Sequence, residues 1–287
     1  MAMEHSTAMT SPALLLVTLS LLACSSLALP AQPGMNRVRW QVDKVNRRGS
    51  SLGLVMSYVD EATALQASGY FSPWPVLPFL DLYGRRFHIG SIRGVNVIYA
   101  LTGQRRLNAA VTVQTLIDVF TVSGIVHYGT AGSSNDSMSF GDVSVPKLVA
   151  YTGAWTWKVT LERCNNTFCL PATPQIVYGL KGSSADMFLD NAEYRNFLFR
   201  EFGVSTVEEE SAAVVMTTTS AGIPVIVFRG VSDLAGGEPT WSSTSLMNLA
   251  SINALKVAVE FIATVGNQKS AEWILTLTTS FHMEAFA

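Results

Sequence analysis

The stretch "PVIVFRGVSDLAGG", residues 224 to 237, joins a buried strand to a polar loop. Its run of apolar, β-branched residues predicts a strand with both faces covered, as in an α/β sheet. The run stops at Arg229, and one carboxylate, Asp233, follows it before Ala-Gly-Gly. Taken alone, Asp233 fits a helix cap or a solvated loop residue.

Outward from that stretch, strand-like segments alternate with segments of helical spacing. The strand-like segments are "SLGLVMS", "GVNVIYALTG", "GIVHYGTAG" and "QIVYGLKGSS", and the predicted helices are "DEATALQAS", "NAAVTVQTLIDVF", "EEESAAVVMTTTSAG" and "TSLMNLASINALKVAVEFIATVG". We expect "ADMFLDNAEYRNFLFREFG" to be mainly helical, "GDVSVPKLVAYTG" to be a strand pair or an edge strand, and "YFSPWPVLPFLDLYG" to be a loop or edge. The alternation predicts an α/β fold with a sheet covered on both faces.

The composition is that of a globular protein. The chain has 287 residues, of which 48% are hydrophobic and 14% charged, so it can bury a full core. One domain of the α/β or barrel type fits this length, and two small domains are also compatible with it. The net charge of −2 and the pI near 6.1 provide no electrostatic footprint for a nucleic acid polymer.

Residues 1–29 have the pattern of a secretory signal peptide. Residues 13–23 form an apolar core of eleven residues, whereas a transmembrane helix needs about 20, so we predict no stable membrane insertion. Against a signal peptide, Glu4 and His5 precede this core, and no Lys or Arg does. "LLAC" also fits a lipoprotein box, but Cys24 is more simply an apolar residue of a removed segment.

A removed signal peptide places the protein in the secretory pathway, with an extracellular or vacuolar destination. Residues 30–50 are polar and basic and are predicted to form a tether or an N-terminal helix. Cys164 and Cys169 would then be the remaining cysteines, either as a disulfide across "NNTF" or as two free thiols. Asn135 and Asn165 both fit the N-glycosylation pattern, which also occurs by chance.

Polar side chains recur where the predicted strands end or where the next helices begin. In open α/β sheets, ligands bind at the carboxyl ends of the strands. Each residue alone fits a cap or a loop carboxylate, but their shared location predicts one binding site. The residues are Asp60, Glu61, Thr102, Thr130, Asp186, Glu210 and Asp233.

Four segments together resemble the nucleoside phosphorylase superfamily, in the branch of methylthioadenosine/S-adenosylhomocysteine nucleosidases and, within it, the secreted plant bark storage proteins. They are "GLVMSYVDEATAL", "GIVHYGTAGSSNDSMSFGDVSVPK", "VEEESAAVV" and "PVIVFRGVSDLAG". The resemblance implies a single-domain three-layer α/β/α sandwich with a mixed central sheet over residues 51–265. Residues 266–287 match nothing in the family and are expected to be a divergent tail.

The resemblance also implies roles for four polar residues. Glu61 matches the glutamate that activates the attacking water, and Glu210 matches the one that holds the ribose hydroxyls. Asp233 matches the acid that protonates the departing purine, and Ser232 would orient it. A carboxyl group can donate that proton if burial raises its pKa, and the apolar run "VIVF" before Asp233 would supply such burial.

The rest of the implied site binds the substrate. Phe188 matches the aromatic residue that stacks on the base, and the backbone around Leu189 would meet the base edge. Thr102 and Thr130 match positions near the nucleophile or phosphate. The implied ligand is a purine nucleoside or nucleobase. No metal or cofactor is implied, phosphate would be a co-substrate in a phosphorylase, and a homo-oligomer is expected.

Three positions depart from the family pattern. Glu209 stands where the nucleosidases usually have Met, and it would place a second charge near the sugar. His127 stands where many phosphorylases have an arginine for phosphate. Arg105 takes the place of the second glycine of a "G-x-G" turn, which we expect to change the loop backbone. Arg105 or Arg106 could bind an anion instead, or both could be surface arginines.

These observations support two functions. The first is an enzyme that cleaves the N-glycosidic bond of purine nucleosides, with hydrolysis favoured over phosphorolysis because Glu61 is present and the phosphate arginine is absent. The second is a storage-type protein that retains the fold without turnover, either with or without nucleobase binding. The signal peptide, Glu209 and the altered turn favour the second function.

Overall fold

The computed structural model describes residues 33–153, 175–236 and 244–267. The described helices are α1 (Pro33–Asn46), α2 (Val59–Ser68), α3 (Arg106–Val119), α4 (Ala192–Phe202), α5 (Ser211–Ser220) and α6 (Thr244–Asn267). The described strands are β1 (Ser51–Met56), β2 (Phe71–Pro73), β3 (Phe79–Leu82), β4 (Arg85–Ile92), β5 (Val95–Leu101), β6 (Val122–Ser133), β7 (Val143–Tyr151), β8 (Ile176–Ser184), β9 (Val204–Glu208) and β10 (Val225–Leu234).

The chain divides into two compact units, Met1–Gln41 and Val42–Ala287. Of the first unit, the structure describes the N-terminal part of α1. The second unit holds the end of α1 and every other described element, so the sheet and the candidate site belong to it.

All ten described strands belong to one mixed sheet. β1 pairs in parallel with β5 and β6, and β6 pairs in parallel with β10. β10 pairs antiparallel with β7, β7 and β9 flank β8 in parallel, and β9 returns antiparallel to β6. Strands β6, β10, β7, β8 and β9 therefore close a ring, and β5, β4 and β2 extend the sheet beyond β1.

Helices cover both faces of this sheet. On one face, α6 packs against β10, β6 and α2, and its small and aliphatic residues Ala254, Ala258 and Ile262 are fully buried. On the other face, α3 packs against α5. Over Leu246–Gly266, α6 is long and apolar enough to cross a membrane, but core helices have the same composition, and α6 lies against the sheet. This arrangement confirms the predicted α/β fold with a mixed central sheet between helical layers.

Several local predictions differ from the structure. β9, with the short sequence "VSTVE", was not predicted, and neither was β4. Helix α4 begins at Ala192 rather than at the start of "ADMFLD", because the side chain of Asn191 accepts a hydrogen bond from the Tyr194 backbone N–H and caps the helix there. β7 is one strand with partners on both sides, and so it is neither a strand pair nor an edge.

Several other predictions fall outside the described residues. They concern the signal peptide, Cys164, Cys169, Asn165 and most of the tail. Asn135 is described. Its side-chain oxygen accepts hydrogen bonds from the backbone N–H and the hydroxyl of Ser137, so Asn135 and Ser137 form a local turn.

Candidate active site

A cavity of about 400 Å³ lies at the carboxyl ends of β1, β6 and β10 and at the start of α5. This volume is in the range of small-molecule sites. The three carboxylates singled out in the sequence, Glu61, Glu210 and Asp233, all line it, together with Ser232 and Thr130. The parallel pairing of β1, β6 and β10 brings their ends to one edge, and for this reason residues far apart in sequence meet there.

Glu61 is buried and its carboxylate is held by four donors. Oε2 accepts hydrogen bonds from the backbone N–H groups of Ser57 and Tyr58, at 2.8 and 2.9 Å. Oε1 accepts from the Thr130 backbone N–H at 2.7 Å and from the Thr130 hydroxyl at 3.2 Å. These four hydrogen bonds fix the Glu61 side chain on the floor of the cavity.

Arg229, in the interior of β10, is the buried cation beside these acids, and no role was predicted for it from the sequence. Its guanidinium forms ion pairs with Glu208 and, at 3.4 Å, with Glu210. Nη1 donates to the Thr130 carbonyl at 3.1 Å, and Nε and Nη2 donate to the Ser211 hydroxyl. The sequence did indicate a buried partner for Arg229, because a lone arginine in an apolar strand needs an acidic or polar partner when it is buried.

Gly129 allows the anion and the cation to approach each other. A Cβ added at this glycine would lie 2.5 Å from Oε1 of Glu61 and 2.6 Å from Nη1 of Arg229. Both atoms thus pack directly against the same backbone position. The glycine in "HYGTAG" is required by this close approach.

Glu208 connects Arg229 to the start of α5. Its Oε2 accepts hydrogen bonds from the backbone N–H groups of Glu210 and Ser211, each at 2.8 Å. The hydroxyl of Ser184 donates a hydrogen bond to Oε1. A carboxylate at a helix N-terminus satisfies backbone donors that have no partner within the helix. No role was predicted for Glu208 from the sequence either, although it belongs to the run of three glutamates before "SAA".

Glu210 is buried at the entrance to α5, beside the same arginine. Its Oε1 accepts the backbone N–H of Arg105 at 2.9 Å. Burial raises the pKa of Glu210 to about 7, and Glu208 and Glu61 add to this rise, whereas Arg229 and the Arg105 N–H oppose it. This carboxyl group therefore titrates near neutral pH.

Asp233 lines the cavity near the end of β10. Its Oδ2 accepts a hydrogen bond from the hydroxyl of Ser232 at 2.6 Å. Burial raises the pKa of Asp233 and nearby Asp190 adds to this rise, while the Ser232 hydrogen bond lowers it. Gly132 makes room for the side chain, because a Cβ there would lie 2.8 Å from Oδ1. A carboxyl group with a raised pKa is suited to holding a proton.

An apolar segment borders the cavity beside Asp233. Met187, Phe188 and Leu189 line it, and Met247 from α6 does so as well. Phe188 is 74% exposed and Met187 is 49% exposed. The structure thus places the ring of Phe188 at an open edge of the cavity, where a flat ligand can reach it.

The two threonines named from the sequence occupy different environments. Thr130 lines the cavity and bonds Glu61. Thr102 is fully buried, and its Oγ1 lies 3.1 Å from the Ser57 hydroxyl and 2.7 Å from the Gly103 carbonyl. Thr102 is not among the described residues that line the cavity. Ser57, which it contacts, does line the cavity.

Arg105 has a backbone conformation that glycine adopts readily. Its φ is 75° and its ψ is 158°, a region that side chains rarely enter. In this conformation the Arg105 backbone N–H donates to Oε1 of Glu210 at 2.9 Å. Its guanidinium contacts the Asp186 carbonyl at 3.2 Å and Glu209 at 3.9 Å.

Arg106 is engaged by another carboxylate. Its Nε donates to Oδ2 of Asp186 at 2.8 Å, and its guanidinium lies 3.8 Å from the centre of the Tyr151 ring. Among the described residues that line the cavity, neither Arg105 nor Arg106 is found. An anion site at Arg105 or Arg106 stays a prediction.

His127 is fully buried behind Arg229 and does not face the cavity. Its Nδ1 lies 3.2 Å from the Val55 carbonyl, and its Nε2 contacts Nη2 of Arg229. Burial, and then the charge of Arg229, hold the pKa of His127 well below its usual value. The ring is therefore neutral, with the proton on Nδ1 and Nε2 accepting from Arg229.

His127, Glu208 and Glu210 place their ligand-type atoms within 4.8 Å of one another, a spacing that could hold a metal ion. Nη2 of Arg229 contacts all three of these residues. The guanidinium therefore occupies the position that a metal ion would take in this cluster.

Comparison with known proteins identifies related sequences. A family model described as the phosphorylase superfamily matches residues 53–263. Bark storage protein A of Populus deltoides is 31% identical, over 77% of this chain and 90% of that protein. The 5′-methylthioadenosine/S-adenosylhomocysteine nucleosidase of Listeria innocua is 24% identical, over 75% of this chain and 100% of that protein.

Solved structures share the fold. The 5′-methylthioadenosine/S-adenosylhomocysteine nucleosidase of Colwellia psychrerythraea in complex with adenine has a TM-score of 0.64 at 20% identity, covering 76% of this chain and 97% of that one. A mutant of the Helicobacter pylori nucleosidase with 5′-methylthioadenosine in its active site has a TM-score of 0.60 at 22% identity, covering 74% and 99%.

Proposed function

Because the chain belongs to the phosphorylase superfamily, we propose that it cleaves the N-glycosidic bond of purine nucleosides, with water as the favoured nucleophile. One observation carries this proposal. Glu61, Glu210 and Asp233, which come from three separate segments, line one cavity of about 400 Å³. A nucleoside needs a polar group at each of three places, namely the base, the ring hydroxyls and the face of attack.

Asp233 is the proposed acid. As the bond between the sugar and the base breaks, the electron pair moves onto the base, and the Asp233 carboxyl transfers its proton to a ring nitrogen. Burial raises the pKa of Asp233, so the carboxyl group can carry that proton. Ser232 fixes the side chain through Oδ2. Phe188 would stack on the base at the open edge, with the Leu189 backbone near the base edge.

Glu210 and Glu61 are proposed to act on the sugar and the water. The ionised Glu210 accepts hydrogen bonds from the two adjacent ring hydroxyls. Water attacks the sugar carbon, and Glu61 orients the water and accepts its proton. The Thr130 hydroxyl makes the longest of the four bonds to Glu61, at 3.2 Å, and it can rotate so that the water takes its place.

The charges of the cavity favour water over phosphate. Glu61, Glu208, Glu209, Glu210 and Asp233 all line it. Nε, Nη1 and Nη2 of Arg229 already donate to protein atoms. His127 is not among the described residues that line the cavity, and its Nε2 contacts Arg229. A phosphate dianion would therefore meet carboxylates, and Arg229, the buried arginine beside them, is already engaged by protein atoms.

A storage function is the second candidate, and the identity to bark storage protein A favours it. Such a protein would retain the cavity without turnover. We further propose that the chain enters the secretory pathway, which agrees with this candidate, and that it acts as a homo-oligomer without a metal or another cofactor.

The test is release of free base from methylthioadenosine, adenosine and inosine, with and without phosphate. We expect release without phosphate, and the Asp233→Asn variant should lower the rate about 10²–10⁴-fold. Asp118→Asn, on the exposed side of α3, is the matched control and should remain active. Folded protein that releases no base would leave the storage function, and release only with phosphate would overturn the choice of water.

A further inference from the structure

Two departures from the family pattern, Arg105 and Glu209, meet at the edge of the cavity. Nε of Arg105 lies 3.9 Å from Oε2 of Glu209. The Glu209 side chain is 16% exposed and lines the cavity, whereas the Arg105 side chain is 58% exposed and lies outside it. The two changes are therefore neighbours in space, although they lie 104 positions apart in the sequence.

The arginine is anchored more firmly than the glutamate. The Arg105 backbone N–H donates to Glu210 at 2.9 Å, and Nη1 donates to the Asp186 carbonyl at 3.2 Å. Within the described part of the chain, the Glu209 carboxylate accepts no hydrogen bond, and its ion-pair contact with Arg105 is long. Burial raises the pKa of Glu209, and the charge of Arg105 opposes this rise. The Glu209 carboxylate, which lines the cavity, can thus accept a hydrogen bond from a ligand.

We propose that Glu209 is a specificity residue that accepts a hydrogen bond from the 5′-hydroxyl of an unmodified nucleoside. The inference rests on the proposed function, which assigns the two ring hydroxyls to Glu210, the next residue in the chain. The 5′-hydroxyl is then the one sugar hydroxyl left. An ionised carboxylate only accepts hydrogen bonds, so it requires a donor opposite it.

The same carboxylate discriminates against two other 5′ groups. An alkylthio group has no donor, so it would leave Glu209 partly buried without a hydrogen bond, and sites built for a hydroxyl reject analogues that lack one. A 5′-phosphate would bring negative charge toward Glu209 and Glu210. Free nucleosides are therefore the substrate class, ahead of 5′-alkylthio nucleosides and nucleotides.

Two variants separate these effects. Glu209→Met removes both the charge and the acceptor, while Glu209→Gln removes the charge and keeps an acceptor oxygen. Glu201→Gln, at an exposed position on α4, is the matched control. Each protein is tested with adenosine, 5′-methylthioadenosine and adenosine 5′-monophosphate, by calorimetric binding and by base release.

We expect the wild type to favour adenosine over methylthioadenosine, and Glu209→Met to shift this ratio toward methylthioadenosine by about 10-fold or more, the equivalent of one hydrogen bond. Glu209→Gln should retain most of the preference for adenosine and bind the monophosphate more tightly than the wild type. Glu201→Gln should match the wild type throughout.

The outcomes distinguish this inference from the proposed function. An unchanged ratio in Glu209→Met, with base release intact, overturns the inference and leaves the function. A shifted binding ratio without any base release supports the inference and overturns the function. Failure of all three compounds to bind the folded wild type overturns both.

Discussion

The floor of the cavity differs from its rim in how its side chains are held. On the floor, Glu61, Glu208 and Arg229 are enclosed, and backbone groups bond each of them. At the rim, Phe188 is 74% exposed, and Arg105 reaches Glu209 across 3.9 Å. Backbone groups hold charges in fixed positions, as catalysis requires, while exposed side chains can change with the substrate. Floor substitutions should therefore affect stability and rate, and rim substitutions should affect selectivity.

The largest effect is expected for Arg229→Met. The change leaves Glu208 and Glu210 buried without their cation, and breaking a buried ion pair in this way costs about 3–5 kcal/mol. Urea unfolding should show this loss in the free energy of unfolding. Arg93→Met, which removes an exposed pair with Glu260, is the control and should have little effect. A loss below about 1 kcal/mol for Arg229→Met would show that the floor does not depend on this cation.

The next effect concerns pH. The pKa of Glu210 is about 7 in the folded protein and near 4.5 without the fold. Below about pH 4.5, Glu210 is protonated in both the folded and the unfolded state. Between about pH 4.5 and 7, it is protonated only in the folded state. The stability that Glu210 contributes is therefore lost as pH rises from about 4.5 to about 7, with a slope of up to ~1.4 kcal/mol per pH unit.

Comparing the wild type with Glu210→Gln reports this contribution, because titrating groups that do not interact with Glu210 cancel in the difference. Unfolding free energies measured at fixed ionic strength between pH 4.5 and 7.5 should show the wild type losing stability relative to the variant. Parallel curves would contradict the raised pKa of Glu210. Nucleoside binding should also tighten as pH rises through about 7 in the wild type, because the ionised carboxylate binds the ring hydroxyls.

A smaller effect is expected at the rim from the backbone of Arg105. Its positive φ costs a non-glycine residue about 1–3 kcal/mol. Arg105→Gly and Arg105→Ala both remove the guanidinium, but only glycine relieves the strain. We expect the glycine variant to be more stable than the alanine variant by about 1–2 kcal/mol in thermal or urea unfolding. Equal stability would indicate that the loop relaxes to another conformation.

The smallest effect is expected for Phe188→Ala. Because the side chain is 74% exposed, the free energy of unfolding should hardly change. Loss of stacking on the base should raise KM by up to about 10-fold, with kcat nearly unchanged. Tyr178→Ala, at a 68% exposed position on β8, controls for the loss of a surface aromatic ring. A fall in kcat alone would mean that Phe188 acts on the chemical step.

Local patterns in the sequence were sufficient for most of the fold. The run before Arg229 predicted β10, and helical spacing predicted α3 and α6. The sequence did not reveal β9, because "VSTVE" is short and partly polar, and its strand conformation depends on pairing with β6 and β8. The ring of five strands that these pairings close was equally invisible, since non-local hydrogen bonds have no local signature.

For the site, the sequence by itself determined the types of residue and, through the resemblance, which acids to compare. It identified Glu61, Glu210, Ser232 and Asp233, but their convergence on one cavity required the parallel register of β1, β6 and β10. Only the tertiary structure decided that Arg229 is the buried partner of the acids, that Thr102 is hidden behind Ser57, and that Arg105 meets Glu209. Those outcomes depend on distances between residues far apart in the chain, and burial and charge act through distance rather than through sequence order.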